Sequence, residues 1–151
     1  MIKKYPEPEE IPQDLKRYIS MCERAKEDED ISEVSDRYFE KGDFFFHPVM
    51  GVDIVEINLG NGFMYCSHPE LKTTRIPIDK CTWLPTVEQI KEMARSENLF
   101  NVEQEEKVID PKNFYKTPEE KWLALYIFRR YKGKFWLAPE SEWKDKKEKG
   151  S

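Results

Sequence analysis

The chain has 151 residues, of which 38% are hydrophobic and 36% charged, and its formal net charge is −5 at pH 7. A net negative charge disfavours unspecific binding to nucleic acid or to anionic lipid. No apolar run reaches the length of a membrane span, and the first residues lack the apolar segment of a signal peptide. Three widely separated cysteines are typical of a reducing compartment. We therefore expect a cytoplasmic protein that uses no membrane and no cofactor.

The N-terminal part of the chain predicts an extended arm followed by a helix. Residues 1–11 combine two prolines with several charges, which favours an extended arm. From Pro12 to Glu27 the apolar residues fall on one arc, as in an amphipathic helix. The acidic run 27–30 then predicts a solvated loop, and residues 31–39 could form a short second helix.

The middle of the chain predicts a β-hairpin. A short aromatic strand at 43–46 is followed by a turn at 47–51, and two further strand patterns flank Asn61-Gly62. Asn-Gly is the strongest sequence indication of a two-residue type I′ turn. This turn sets a register in which one face of the hairpin is apolar. The pairs predicted on that face are Leu59 with Met64, Ile57 with Cys66, and Val55 with His68.

An edge strand, a capped helix and a long loop are predicted after the hairpin. An edge strand at 76–78 comes first, because Pro77 is tolerated at an edge or a bulge. Thr86 and Gln89 then form a capping box that begins a helix running to about Glu97. The segment from 98 to 115 is polar and predicts a long loop with one possible short strand.

The segment from Thr117 to Trp136 predicts the central helix of the fold, over about 117–132. Thr117 is a good N-cap, Pro118 suits the first helical position, and Glu120 completes a capping box. Apolar residues surround nearly the whole helix, so it must be covered on more than one side. We expect one α+β domain over 12–138. In it a short antiparallel sheet packs against this helix, with two further amphipathic helices and a last strand near 135–137. Residues 139–151 would be a charged, disordered tail.

Some segments together resemble a known group. They are Gly42-Asp43-Phe44-Phe45, Trp83-Leu84-Pro85 with Gln89, Glu92 and Met93, and later Trp122-Leu123-Ala124. This order is similar to that in uncharacterised small proteins encoded by phages and prophages of Gram-positive bacteria. The resemblance covers roughly residues 40–137, with Ile90 where leucine is expected. It implies a shared fold and a phage-type accessory role in a bacterial cytoplasm, and it transfers no activity.

A metal site is the most specific chemical hypothesis that the sequence offers, although the sequence as a whole argues against metal binding. Cys66 and His68 would point to one face of a strand, and zinc accepts cysteine and histidine in tetrahedral sets. However, no paired Cys-x-x-Cys is present, and buried cysteine often acts as a small hydrophobic residue. The weak candidate ligands are His47, Cys66, His68 and Cys81.

The end of the central helix is the main candidate for an interaction site. Cations and aromatics alternate there, and such a cluster can bind a single-stranded nucleic acid or a protein. The alternative is structural, because cations near a helix C-terminus complement its dipole and the aromatics can close the core. The candidate residues are Arg129, Arg130, Lys132, Lys134 and Trp136.

The sequence therefore predicts a non-enzymatic protein that acts through protein–protein interaction. It has no nucleophile elbow and no glycine-rich phosphate loop, so we expect no catalytic residues. The alternative function is a nucleic-acid-binding module that uses the basic and aromatic end of the central helix. The partner and the oligomeric state are not predicted.

Overall fold

The computed structural model describes residues 11–28, 31, 39–107 and 117–131, and the backbone of 134–137 and 142–145. The predicted arm, the short helix at 31–39 and the strand near 108 lie largely outside these residues. The helices are α1 (Gln13–Glu27), α2 (Val87–Ser96), α3 (Val102–Glu105) and α4 (Pro118–Arg130). The strands are β1 (Phe44–His47), β2 (Gly51–Asn58), β3 (Phe63–Cys66), β4 (Ile76–Pro77), β5 (Thr82–Trp83), β6 (Lys134–Leu137) and β7 (Glu142–Asp145).

The α+β prediction is confirmed. Strands β1 to β5 form an antiparallel sheet in the order β4-β3-β2-β1-β5, so Pro77 lies on an edge strand as predicted. Helices α1, α2 and α4 begin where their caps and apolar spacing predicted. None of the helices in the described part of the chain has the length and apolar composition needed to cross a bilayer.

The predicted hairpin register is wrong by one residue. The amide of Leu59 donates to the carbonyl of Phe63 at 3.0 Å, so the loop has three residues, Gly60, Asn61 and Gly62. Gly60 and Gly62 have φ values of +79° and +90°, which glycine adopts without strain. Because Gly60 offers a second left-handed position beside Asn61-Gly62, the loop closes one residue earlier on β2. The resulting pairs are Asn58 with Met64 and Ile57 with Tyr65.

A β-bulge restores the core face further along the hairpin. The register shifts between Val55 and Ile57, and Val55 then pairs with Cys66 instead of His68. Val55 and Cys66 are fully buried, whereas Ile57, which we expected on the apolar face, is 50% exposed. A shift of one residue exchanges the two faces of a strand, and the bulge reverses that exchange.

The core consists of two clusters. The helices α1, α2 and α4 form the first one, to which the sheet contributes Val52 and Phe46. The buried residues of the hairpin form the second cluster instead of covering α4 directly. Met93 of α2 packs against both clusters. The buried members of the second cluster are Phe39, Phe45, Val55, Met64, Cys66, Ile76, Cys81 and Trp83.

Residues 142–145, which belong to the segment predicted to be a disordered tail, form strand β7. This strand pairs antiparallel with β6, and Trp143 lies opposite Trp136 in the backbone register. β6 lies beside α4 and β7 beside α1. The charged composition suggested a disordered tail, but pairing with β6 gives the backbone of β7 its hydrogen-bond partners.

Candidate functional site

An open groove of about 390 Å³ lies where the first turns of α1 and α4 meet the sheet. Strands β1 and β2 and the link from β5 to α2 form its other walls. A pocket of this volume is at the small end of the range that binds ligands. The lining residues are Pro12, Asp14, Leu15, Tyr18, Phe44, Val52, Leu84, Pro85, Thr86, Thr117 and Glu119.

The sheet wall of the groove is apolar because of the pairing of β1 with β2. Phe46 pairs with Val52 and Phe44 with Ile54, so Phe44 and Val52 lie on the same face. Val52 and Phe46 are covered by the helical cluster, but Phe44 remains 37% exposed within the groove. The groove therefore presents an aromatic side chain that the described core does not cover.

A hydrogen bond connects the helix wall of the groove to the link between β5 and α2. Leu15 and Tyr18 are three residues apart on α1, so they lie on the same side of the helix. The hydroxyl of Tyr18 donates to the carbonyl of Pro85 at 2.8 Å and thereby joins α1 to the link before α2. Burial raises the pKa of Tyr18 well above its ordinary value, so the phenol stays neutral and remains a donor.

Three helices begin at this groove, and each has its own cap or acidic first turn. Thr86 and Gln89 form the predicted capping box of α2, with bonds of 2.9 and 3.1 Å. The Thr117 hydroxyl accepts from the amide of Glu120 at 3.3 Å. Asp14 and Glu119 lie in the first turns of α1 and α4, where carboxylates complement the helix dipole.

Glu120 has a different partner from the one the capping-box pattern predicts. Its carboxylate accepts from the Thr117 hydroxyl at 3.1 Å and from the guanidinium of Arg17 at 3.2 and 3.4 Å. Arg17 also binds Asp14 at 3.1 Å, so one guanidinium joins the first turns of α1 and α4. Glu120 is only 3% exposed, and this ion pair satisfies its buried charge.

Two of the segments that carry the resemblance, 42–45 and the one from Trp83 to Met93, meet in space. The side-chain amide of Gln89 donates to Asp43 at 2.7 Å, and Phe45 pairs with Trp83 across β1 and β5. Asp43, Phe45 and Trp83 are buried. These residues therefore join the sheet to α2, which is a structural role.

The arginines at the end of α4 are ion-paired. Arg129 binds Glu105 at 3.1 Å, and Arg130 binds Glu97 at 2.9 Å. Arg130 also donates to the hydroxyl of Tyr131 at 2.9 Å. The other members of the predicted interaction cluster cannot be placed in the same way. Lys132 lies outside the described residues, and Lys134 and Trp136 are described only as backbone positions of β6.

The weak metal candidates do not form a ligand cluster, and the described residues contain no group of three or more potential metal ligands. Nδ1 of His47 accepts from the amides of Val49 and Met50, and Nδ1 of His68 accepts from the amide of Glu70. Each imidazole therefore stabilises the turn that follows it in the chain.

The two cysteines of that set lie in the second core cluster. Burial raises the pKa of Cys66 to about 11 and that of Cys81 to about 12. Both groups are therefore neutral thiols near pH 7 in the metal-free protein. Their surroundings favour a packing role.

The sequence patterns did not identify the groove. Its lining residues come from elements far apart in the chain, and each one had a structural explanation by itself: helix stripe, strand or cap. The one local indication was the run of three phenylalanines at 44–46, since alternate residues of a strand face opposite sides. None of the protein-family models, curated proteins or solved structures compared with the chain matches it.

Proposed function

We propose that this chain is a phage- or prophage-type accessory protein that acts by binding a partner protein, and that the groove receives an apolar side chain of this partner. The phage-type origin rests on the sequence resemblance alone, and the binding role is carried by the partly exposed Phe44 in an apolar groove with a polar rim. Protein interfaces often place an aromatic anchor at their centre and polar groups around it.

The chemistry of the groove supports binding and gives no support to catalysis. Among the described lining residues, the titratable groups are two carboxylates and the Tyr18 phenol, and no thiol, imidazole or amine is present. The phenol is buried and already bonded to Pro85, which removes it from proton transfer. A binding role therefore requires no side chains beyond those that line the groove.

The nucleic-acid alternative has less support. Glu105 and Glu97 already neutralise Arg129 and Arg130, so a phosphate would have to displace a bound carboxylate from each guanidinium.

Site-specific photocrosslinking tests the proposal. A photoreactive phenylalanine is placed at position 44, and a matched control carries it at Val49, an apolar residue that is 75% exposed and does not line the groove. Each protein is irradiated in a lysate of a Gram-positive bacterium. We expect position 44 to crosslink one specific protein that position 49 does not.

The captured protein is then purified and its affinity is measured by calorimetry. Phe44→Ala should weaken binding by about thirtyfold, as expected for a hot-spot aromatic, and Val49→Ala should leave it unchanged. Equal crosslinking from both positions, or equal affinity of the two alanine variants, would contradict a role for the groove.

A further inference from the structure

We infer that the partner segment seated in the groove carries a lysine or arginine beside its apolar anchor, and that this cation pairs with Asp14 and Glu119. The inference rests on the proposed function and adds the chemical class of the ligand. It is carried by the placement of two carboxylates at an apolar groove whose described lining contains no cation.

The two carboxylates reach the groove from different helices. Asp14 belongs to the first turn of α1 and Glu119 to the first turn of α4. Two helices that are far apart in the sequence thus bring two carboxylates to one apolar site. A helix-stabilising role explains why each first turn is acidic, but it does not require both side chains to line the same groove.

Among the described residues that line the groove, the charged side chains are those of Asp14 and Glu119. The guanidinium of Arg17 is already shared between Asp14 and the buried Glu120. Since the chain as a whole is also negative, a cationic segment would be attracted at long range as well as at the site.

The size of the groove limits the anchor. A volume of about 390 Å³ accommodates one or two large side chains of a partner. The exposed part of Phe44 would contact an aromatic or branched aliphatic anchor. The part of the ligand that enters the groove is therefore a short segment with one apolar and one cationic side chain.

A displayed library of random short peptides, selected on the full chain and counter-selected on the Phe44→Lys variant, tests this inference. We expect the enriched peptides to combine a large apolar residue with a nearby lysine or arginine. Binding of a synthetic enriched peptide should weaken by about fivefold to tenfold in Asp14→Asn and in Glu119→Gln, and as salt increases. The matched control, Glu92→Gln, removes a carboxylate that is 74% exposed on α2 and should have no effect.

The other outcomes overturn the inference in distinguishable ways. If the enriched peptides lack a cation, or if Glu119→Gln and Asp14→Asn bind as the wild type does, the ligand class is wrong while the groove still binds. If no peptide is enriched but the crosslinked protein depends on Phe44, the proposed function stands and the short-segment inference fails. If neither experiment shows binding through Phe44, both proposals fail.

The experiment must also distinguish a partner segment from the chain's own sequence, because Lys3, Lys4 and Tyr5 combine the same two kinds of side chain. The full chain with Lys3→Glu, Lys4→Glu and Tyr5→Ser distinguishes this case. If enrichment occurs only on that variant, the N-terminal segment is the occupant and the inference of a partner segment is overturned. Equal enrichment on both chains supports an external ligand.

Discussion

The side-chain amide of Gln89 donates a 2.7 Å hydrogen bond to the buried carboxylate of Asp43 and thereby holds the start of β1 against the start of α2. The same Gln89 accepts from the amide of its N-cap Thr86, so one side chain caps its own helix and connects that helix to the sheet. The other oxygen of Asp43 accepts from the amide of Glu40 at 2.9 Å.

Gln89→Leu should lower the free energy of unfolding by about 1–3 kcal/mol, because the carboxylate of Asp43 loses a donor while remaining buried. Urea denaturation followed by tryptophan fluorescence measures this change. The control Glu92→Gln alters an exposed position of the same helix and should change stability by less than about 0.5 kcal/mol. Equal midpoints for the two variants would show that this hydrogen bond does not stabilise the fold.

Arg17→Met should destabilise the protein by about 1–3 kcal/mol, since it leaves the 3%-exposed carboxylate of Glu120 without its cation. The effect should stay below that of a fully buried pair, because the side chain of Arg17 is partly exposed. Arg24→Met serves as the control, since Arg24 forms an exposed ion pair with Glu27. Thermal unfolding measures both, and an equal loss in the two variants would contradict a special role for Arg17.

Gly60→Ala and Gly62→Ala should each cost about 1 kcal/mol or more of stability. Both glycines have positive φ, and a Cβ at either would meet no atom within 4 Å, so the cost comes from backbone strain alone. Asn61→Ala, between them, should be nearly neutral if the loop has three residues. A larger loss for Asn61→Ala than for Gly60→Ala would favour the two-residue turn that the sequence predicted.

The buried thiols should make stability fall at alkaline pH. A thiol in the unfolded chain has a pKa of about 8.5, whereas in the folded protein the thiol pKa is about 11 for Cys66 and about 12 for Cys81. As the pH rises from about 8.5 to about 10, the unfolded state therefore loses protons that the folded state keeps, and the free energy of unfolding decreases.

This decrease should become shallower in the Cys66→Ala and Cys81→Ala variants, whatever their absolute stability. Urea midpoints are measured at several pH values below about 10, where tyrosine begins to ionise. They give the slope of stability against pH. A slope identical to that of the wild type would show that these thiols do not ionise differently in the two states.

The ion pairs at the end of α4 predict weak binding to nucleic acid. Fluorescence anisotropy with a single-stranded oligonucleotide should show little binding at about 50 mM salt and none at about 200 mM. Tight, salt-dependent binding that disappears in the Arg129→Glu, Arg130→Glu double variant would instead support the nucleic-acid function over the protein-binding one.

The sequence by itself determined the features that depend on residues close together in the chain. The capping box of Thr86 and Gln89 and the N-cap at Thr117 correctly located the starts of α2 and α4, because a cap bonds an amide two or three residues away. The helical spacing of α1 is also a short-range pattern. The edge position of Pro77 was predictable because proline has no amide hydrogen to donate to a neighbouring strand.

Only the tertiary structure decided the hairpin register, the partner of Glu120 and the existence of the groove. Local preference allowed either loop at 60–62, and packing of Val55 and Cys66 in the second core accompanies the bulged register. Arg17 reaches Glu120 across 103 positions of the chain, and Phe44 borders the groove because three distant segments meet beside it. Such contacts depend on how whole elements pack, since no short-range pattern specifies which side chains from remote segments will meet.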